Sequence, residues 1–268
     1  MKNTIVILGA GKMGVSIAKG LLSKKIVQPQ TLALTKLDLS TLKVFENNGV
    51  LVTSNNLKAI KNRQIIILAV KPQKMQELLE EISSSVKKNQ LIVSIAAGVT
   101  IKNIENKLGK DMAIVRVMPN LAAQIGESAS AWVKNRNVTK IQEKLVKQIL
   151  EAIGIEVFLK NEDQLDVVTA ISGSGPAYFF LIAKMLMKAG VRLGMSAEAT
   201  EKLVMHTFLG SALLLKSTNI TPENAINAVA SRGGATESAL NKLNKEKFEK
   251  IFLASVSAAR NRTRQLNI

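Results

Sequence analysis

Short unbroken apolar runs alternate with amphipathic stretches over the first part of the chain. The runs Thr4–Leu8, Thr31–Thr35, Gln64–Val70, Gln90–Ile95, Ala113–Val117 and Ile155–Phe158 read as strands. They are continuously apolar rather than alternating, as strands covered on both faces must be. Between them, 16–22, 42–48, 75–86, 101–108 and 139–153 carry helical spacing, and Gly49 supplies a C-terminal stop. Strands alternating with helices predict a parallel, doubly wound sheet. After about Asp163 the strand pattern ends, and 166–169, 177–193, 197–217, 222–229 and 237–264 read as helices. The expected class is therefore α/β, with a doubly wound domain over 1–162 and an all-helical domain over 163–268. No repeat, low-complexity tract or flexible linker interrupts the chain.

Composition narrows the chemistry. Of 268 residues 47% are hydrophobic, enough to bury a full core. Cysteine is absent and His206 is the single histidine, which excludes thiolate chemistry and leaves no metal site to expect. The N-terminus runs straight into a strand, unlike a signal peptide. No apolar run reads as approaching a membrane span of about 20 residues, so a cytoplasmic protein without a membrane partner is expected. A net charge of +17 raises the question of nucleic acid. Lysines are scattered, however, and 3% aromatics offer few stacking platforms, so no nucleic-acid partner is expected and a non-enzymatic basic nucleic-acid binder stands only as an alternative.

The first strand runs directly into Gly9-Ala10-Gly11-Lys12-Met13-Gly14 and then a helix. In that context the glycines suit a tight turn, close approach of a pyrophosphate and helix–strand packing, the fingerprint of a Rossmann-type dinucleotide domain. The helix N-terminus adds free amides and partial positive charge. An NAD site places an acid at the end of the second strand. Here that place holds Thr35 and Lys36, with Asp38 two residues late. A hydroxyl and a lysine suit a 2′-phosphate, so NADP is expected, with NADPH preferred over NADH.

Two small-residue segments remain, Ser172-Gly173-Ser174-Gly175-Pro176 and Ala230-Ser231-Arg232-Gly233-Gly234-Ala235-Thr236. With the glycine fingerprint, Leu68-Ala69-Val70-Lys71-Pro72, Ser94-Ile95-Ala96-Ala97-Gly98-Val99, Val115-Arg116-Val117-Met118-Pro119-Asn120 and Gly190-Val191-Arg192-Leu193-Gly194, they make a series in fixed order. In that order the chain resembles the pyrroline-5-carboxylate reductases over nearly its whole length. The resemblance implies NADPH-dependent reduction of 1-pyrroline-5-carboxylate to L-proline. It implies cofactor contacts by Ala69, Val70, Lys71, Pro72, Ala96, Ala97 and Gly98, by Asn56 near the adenosine ribose and by Asn120 near the nicotinamide. It places substrate against Ser172–Pro176 and Gly233–Thr236, at a dimer interface of swapped helices. A homodimer is the minimum assembly implied, and a decamer of dimers is left open.

Elementary chemistry agrees. Reducing a cyclic imine needs a hydride over one face of the C=N carbon and a proton for nitrogen, so positioning can supply much of the catalysis. Bare amides at 233–236 would seat the substrate carboxylate. The Thr236 hydroxyl, the expected catalytic group, would orient the ring nitrogen. Plainer readings stand beside these: a turn opening a helix at Pro176, and a helix cap at Thr236. Another NADP oxidoreductase, such as a 3-hydroxyacid dehydrogenase, would need a catalytic lysine for which Lys184 is the candidate. Two places depart from the family pattern. Leu121-Ala122 replaces Thr-Pro, suggesting a looser turn, and Arg232 replaces the proline before the glycine pair. The C-terminal Arg260, Arg262 and Arg264 are expected on a solvated helix face.

Overall fold

Four-residue apolar strands set the architecture. In the computed structural model, which describes residues 3–265, β1 (Ile5–Leu8), β2 (Leu32–Thr35), β4 (Ile65–Leu68) and β5 (Leu91–Ser94) are buried at every position. With β3 (Leu51–Thr53), β6 (Ala113–Met118), β7 (Ser128–Lys134) and β8 (Gly154–Phe158) they form one sheet in the order β3-β2-β1-β4-β5-β6-β7-β8. The first six follow the doubly wound dinucleotide-binding order.

Successive side chains of a strand point to opposite faces. Ile5, Ile7, Leu32 and Leu34 therefore pack with Ile17 and Leu21 of α1 (Lys12–Ser23) and Val146 and Ile149 of α6 (Lys140–Glu151). Val6, Leu8, Ile66 and Leu68 pack on the other face with Leu78 and Ile82 of α4 (Met75–Ile82) and Ile104 of α5 (Ile101–Leu108). Each such side chain contributes about 1.5–3 kcal/mol when fully buried. The short helices α2 (Lys43–Asn47), α3 (Asn56–Ile60) and α7 (Gln164–Val168) fill the connections.

Two compact units result. One reaches Ser174 and takes back the chain from Ala259; the other is Gly175–Ala258. The second is built from α8 (Gly175–Arg192), α9 (Ala197–Thr218), α10 (Pro222–Val229), α11 (Ala235–Lys245) and most of α12 (Phe248–Gln265). Its apolar side chains stay in solvent, including Phe179, Phe180, Leu203, Leu209 and Leu213.

Several expectations need correction. The sheet is not wholly parallel: β7 runs antiparallel to β6, with Val117 opposite Trp132. The connection from Pro119 to Glu127 holds only a short 3-10 turn, too little for the crossover a parallel pair requires. Trp132, in β7, is fully buried. β3 escaped notice because three residues carry no readable period. The expected long final helix divides at Lys247, whose backbone is left-handed (φ 57°). Gln164–Arg192 is long and apolar enough to cross a membrane by length and composition. Sequence spacing does not show it, because the small residues at 172–176 suit a loop equally well, whereas a π-helical turn at Thr169–Gly173 joins α7 to α8.

Of the C-terminal arginines, Arg262 and Arg264 are exposed as expected, but Arg260 is only partly so and Arg264 also turns toward a buried acid. Arg264 lies 3.8 Å from Asp166, and the Nε of Arg260 is buried without a hydrogen-bond partner. Asp166 is itself buried, 3.9 Å from the buried Arg116, which pairs at 2.9 Å with Glu162. These charges hold α7 against β6.

Candidate active site

At the end of β1 the chain turns sharply through Gly9, whose φ of 83° suits glycine. A Cβ on Gly9 would lie 2.5 Å from Val70 Cγ1, and one on Gly14 would lie 3.1 Å from Ile7 Cγ2. Gly9 is thus required by its own conformation and packing, while Gly14 packs tightly enough that a larger side chain would have to displace Ile7. Gly11 is different: its nearest neighbour to an added Cβ would be the Gly9 carbonyl at 3.9 Å. Nothing in the fold itself demands glycine there, whereas a pyrophosphate laid against that backbone does. Gly11 is the N-cap of α1, without a side-chain cap and without an acid in the first turn. Its leading amides are therefore available to an anion, with the helix dipole in support.

The tip of β2 lies beside this turn. Gly9 and Ala10 donate to the Thr35 carbonyl at 3.1 and 2.7 Å. The Thr35 side chain is buried; its hydroxyl accepts from Gly9 N–H and donates to Asn56 Oδ1. Thr35 therefore braces the site rather than facing outward. Lys36, half-buried, donates to Thr41 Oγ1 at 2.7 Å. The carboxylate nearest along the chain, Asp38, accepts from Ser40 N–H at 3.0 Å. Hydrogen bonds from Ser40, helped by the nearby Lys36 charge, hold Asp38 below the usual carboxylate range. With that acid already engaged and a lysine at the strand end, the residues fit a 2′-phosphate.

The loops after β4 and β5 continue the same sheet edge. Ala69 N–H donates to the Leu8 carbonyl at 2.8 Å, setting Val70 against Gly9. Lys71 is exposed and extended before Pro72, as a residue preceding proline should be. Ala96 is buried, Ala97 half-buried, and Gly98 has a positive φ of 75°.

Asn120 organises the end of β6. Its Oδ1 accepts from Ala122 N–H at 3.1 Å, capping the 3-10 turn Leu121–Ile125. That bond needs an N–H at position 122, which a proline lacks, so the departure from Thr-Pro is met by a cap that holds the turn. Asn120 Nδ2 donates to Ser172 Oγ at 3.2 Å, and Ser172 donates to the Ala129 carbonyl at 2.8 Å. The sequence reading missed Ser128, whose buried hydroxyl accepts from Asn120 N–H. Only the antiparallel return of β7 brings it there. Ser172–Pro176 is thus no plain turn: Ser174 N–H bonds the Thr169 carbonyl five residues back, and π turns of this kind are frequent at functional sites.

The segment 233–236 belongs to the second unit. Gly234 is the N-cap of α11 and makes no side-chain cap, so Thr236 lies inside the helix and the capping reading fails. A Cβ on Gly234 would meet Ser231 Oγ at 2.6 Å. The amides here are less bare than expected. Gly233 donates to Glu237 Oε2 at 2.7 Å and Gly234 to the Ser231 carbonyl at 2.9 Å, so neither of these two amides is free. Glu237 was missed, although an acid in the first turn of a helix is a common pattern. Thr236 also lines a cavity of about 370 Å³ with Leu214, Ile226, Val229 and Leu240.

The order of the sheet and the opening over Gly11 define a Rossmann-type dinucleotide-binding protein. Residues 4–98 match the family model described as NADP oxidoreductase, coenzyme F420-dependent. Residues 162–266 match the model for pyrroline-5-carboxylate reductase dimerisation. A pyrroline-5-carboxylate reductase of Pseudomonas aeruginosa is 35% identical over 98% of this chain and 96% of its own. The solved pyrroline-5-carboxylate reductase of Coxiella burnetii superposes with a TM-score of 0.92 at 34% identity, each chain covered completely. That of Plasmodium falciparum, with NADP bound, superposes at 0.90 and 29% identity, covering 99% of this chain and 98% of its own. The chain belongs to the pyrroline-5-carboxylate reductase family.

Proposed function

We propose that the protein reduces 1-pyrroline-5-carboxylate to L-proline with NADPH. The observation that carries this reading is full-length kinship with named reductases in a chain whose Gly11 backbone stands open over an uncapped helix. The cofactor supplies the hydride when bound. The first-turn amides of α1 bind its pyrophosphate, Lys36 faces the 2′-phosphate, and Asn120 with Ser172 borders the nicotinamide. At the start of α11, amides and helix dipole hold the substrate carboxylate, and the Thr236 hydroxyl orients the ring nitrogen. Solvent or an already protonated imine supplies the proton, since a threonine hydroxyl is a poor acid. The working form is at least a homodimer, which covers the apolar faces of α8 and α9. A cytoplasmic location is part of this reading, supported by the cysteine-free composition.

Nicotinamide absorbance followed with and without 1-pyrroline-5-carboxylate, using NADPH and then NADH, tests the proposal. Imine-dependent oxidation, faster with NADPH, is the expected result. Binding of NADPH without imine-dependent turnover would assign the chain to a different substrate.

A further inference from the structure

A chain of hydrogen bonds runs from the glycine turn to a carboxylate that no motif singles out. Gly9 N–H donates to Thr35 Oγ1 at 3.2 Å, and Thr35 Oγ1 donates to Asn56 Oδ1 at 2.7 Å. Asn56 Nδ2 donates in turn to Glu81 Oε2 at 2.8 Å. The direction of this chain is not free. An ionised carboxylate only accepts, so the amide of Asn56 must present its nitrogen to Glu81 and its oxygen to Thr35. The Thr35 hydroxyl must then spend its proton on Asn56 and keep a lone pair for Gly9. The orientation of an asparagine amide is decided by its network; the Gly9 N–H, which only donates, and Glu81, which only accepts, fix the two ends, and Glu81 is the fixed end that Asn56 itself touches.

The chain crosses the place where a dinucleotide domain holds the adenosine ribose, between the glycine turn and the end of the second strand. Resting on the NADPH reading above, we propose that Glu81, on α4, is a positioning residue of the adenosine half of the site. It acts through Asn56, keeping the amide and the Thr35 hydroxyl in one sense, with the Thr35 proton turned inward. The 2′-phosphate is thereby left to Lys36. Without the carboxylate, Asn56 can rotate its amide and Thr35 can redirect its proton, and the bound nucleotide meets a mixture of donors and acceptors.

The probe is adenosine 2′,5′-bisphosphate, which carries the adenosine half of NADP and no nicotinamide, titrated calorimetrically into the full-length protein. Glu81→Ala is expected to weaken its binding about fivefold, the worth of one ordinary hydrogen bond. Glu81→Gln, which keeps an acceptor at the same reach, should recover most of that loss. If Glu81 works through Asn56, Glu81→Ala adds nothing further in an Asn56→Ala background. Binding by Glu81→Ala as tight as the parent's, or losses that simply add in the double variant, would overturn the inference. A parent protein that binds neither the bisphosphate nor NADPH would overturn the dinucleotide reading itself, and this inference with it.

Discussion

The three glycines of the nucleotide turn look alike in sequence yet answer to different neighbours. Gly11→Val should fold normally and lose NADPH binding, because its side chain enters space that the protein leaves open. Gly14→Val should instead destabilise the fold by about 1–3 kcal/mol through contact with Ile7. Thermal melts and NADPH titration of the two variants separate these outcomes; a Gly11→Val protein with normal NADPH affinity would refute the pyrophosphate assignment. In the second unit, Thr236→Ala should lower imine turnover roughly tenfold, the value of one transition-state hydrogen bond. Cofactor affinity should not change, and a weaker NADPH titration would contradict the assigned role. Gly9 to Gly14 could be located from the sequence because their requirements are local. The inward use of the Thr35 hydroxyl could not, since its partner Asn56 lies across the edge of the sheet.

Elements carry the next level of specification. β7 meets α6 through Lys134 and Glu143, 2.5 Å apart and both largely buried. The hydrogen bond from Lys134 holds the Glu143 carboxyl below its ordinary range. A depressed carboxylate contributes stability that is complete above its unfolded pKa and is lost as pH falls through the lower folded value. Glu143→Gln should therefore lower the urea midpoint at neutral pH, and the difference from the parent should shrink once the carboxylate is protonated under strong acid. A constant difference across that range would remove Glu143 from the acid response. The π turn at Thr169–Gly173 was unreadable beforehand, because small residues are equally at home in loops. What decides for helix is Ser172, tied to Ala129 and Asn120, each remote in sequence.

Assembly belongs to the scale of the whole molecule. α9 leaves Leu203, Met205, Leu209, Leu213 and Leu214 more than half exposed, although this helix is apolar on nearly every side. A helix of that kind is stable in water only when it is covered, and the dimerisation model spans it. Leu209→Asp is expected to shift light-scattering mass toward the monomer and to lower imine turnover in parallel. An intact dimer with full activity would exclude this part of α9 from the interface. The same exposure explains the membrane-length helix Gln164–Arg192: apolar surface meant for another copy of the chain has the composition of surface meant for lipid.

Sequence alone determined the alternation of strands and helices, the glycine turn, the missing acid at the end of β2 and the order of motifs that carries the family resemblance. Each of these depends on neighbours within a few residues, or on side-chain chemistry that needs no partner. Tertiary structure alone decided the antiparallel return of β7, the cap that Asn120 gives Ala122, the pairing of Arg264 with Asp166 and the line from Gly9 to Glu81. Those contacts join residues distant along the chain. A hydrogen bond or ion pair between such residues leaves no periodicity in sequence, because its energy exists only after the sheet has brought the partners together.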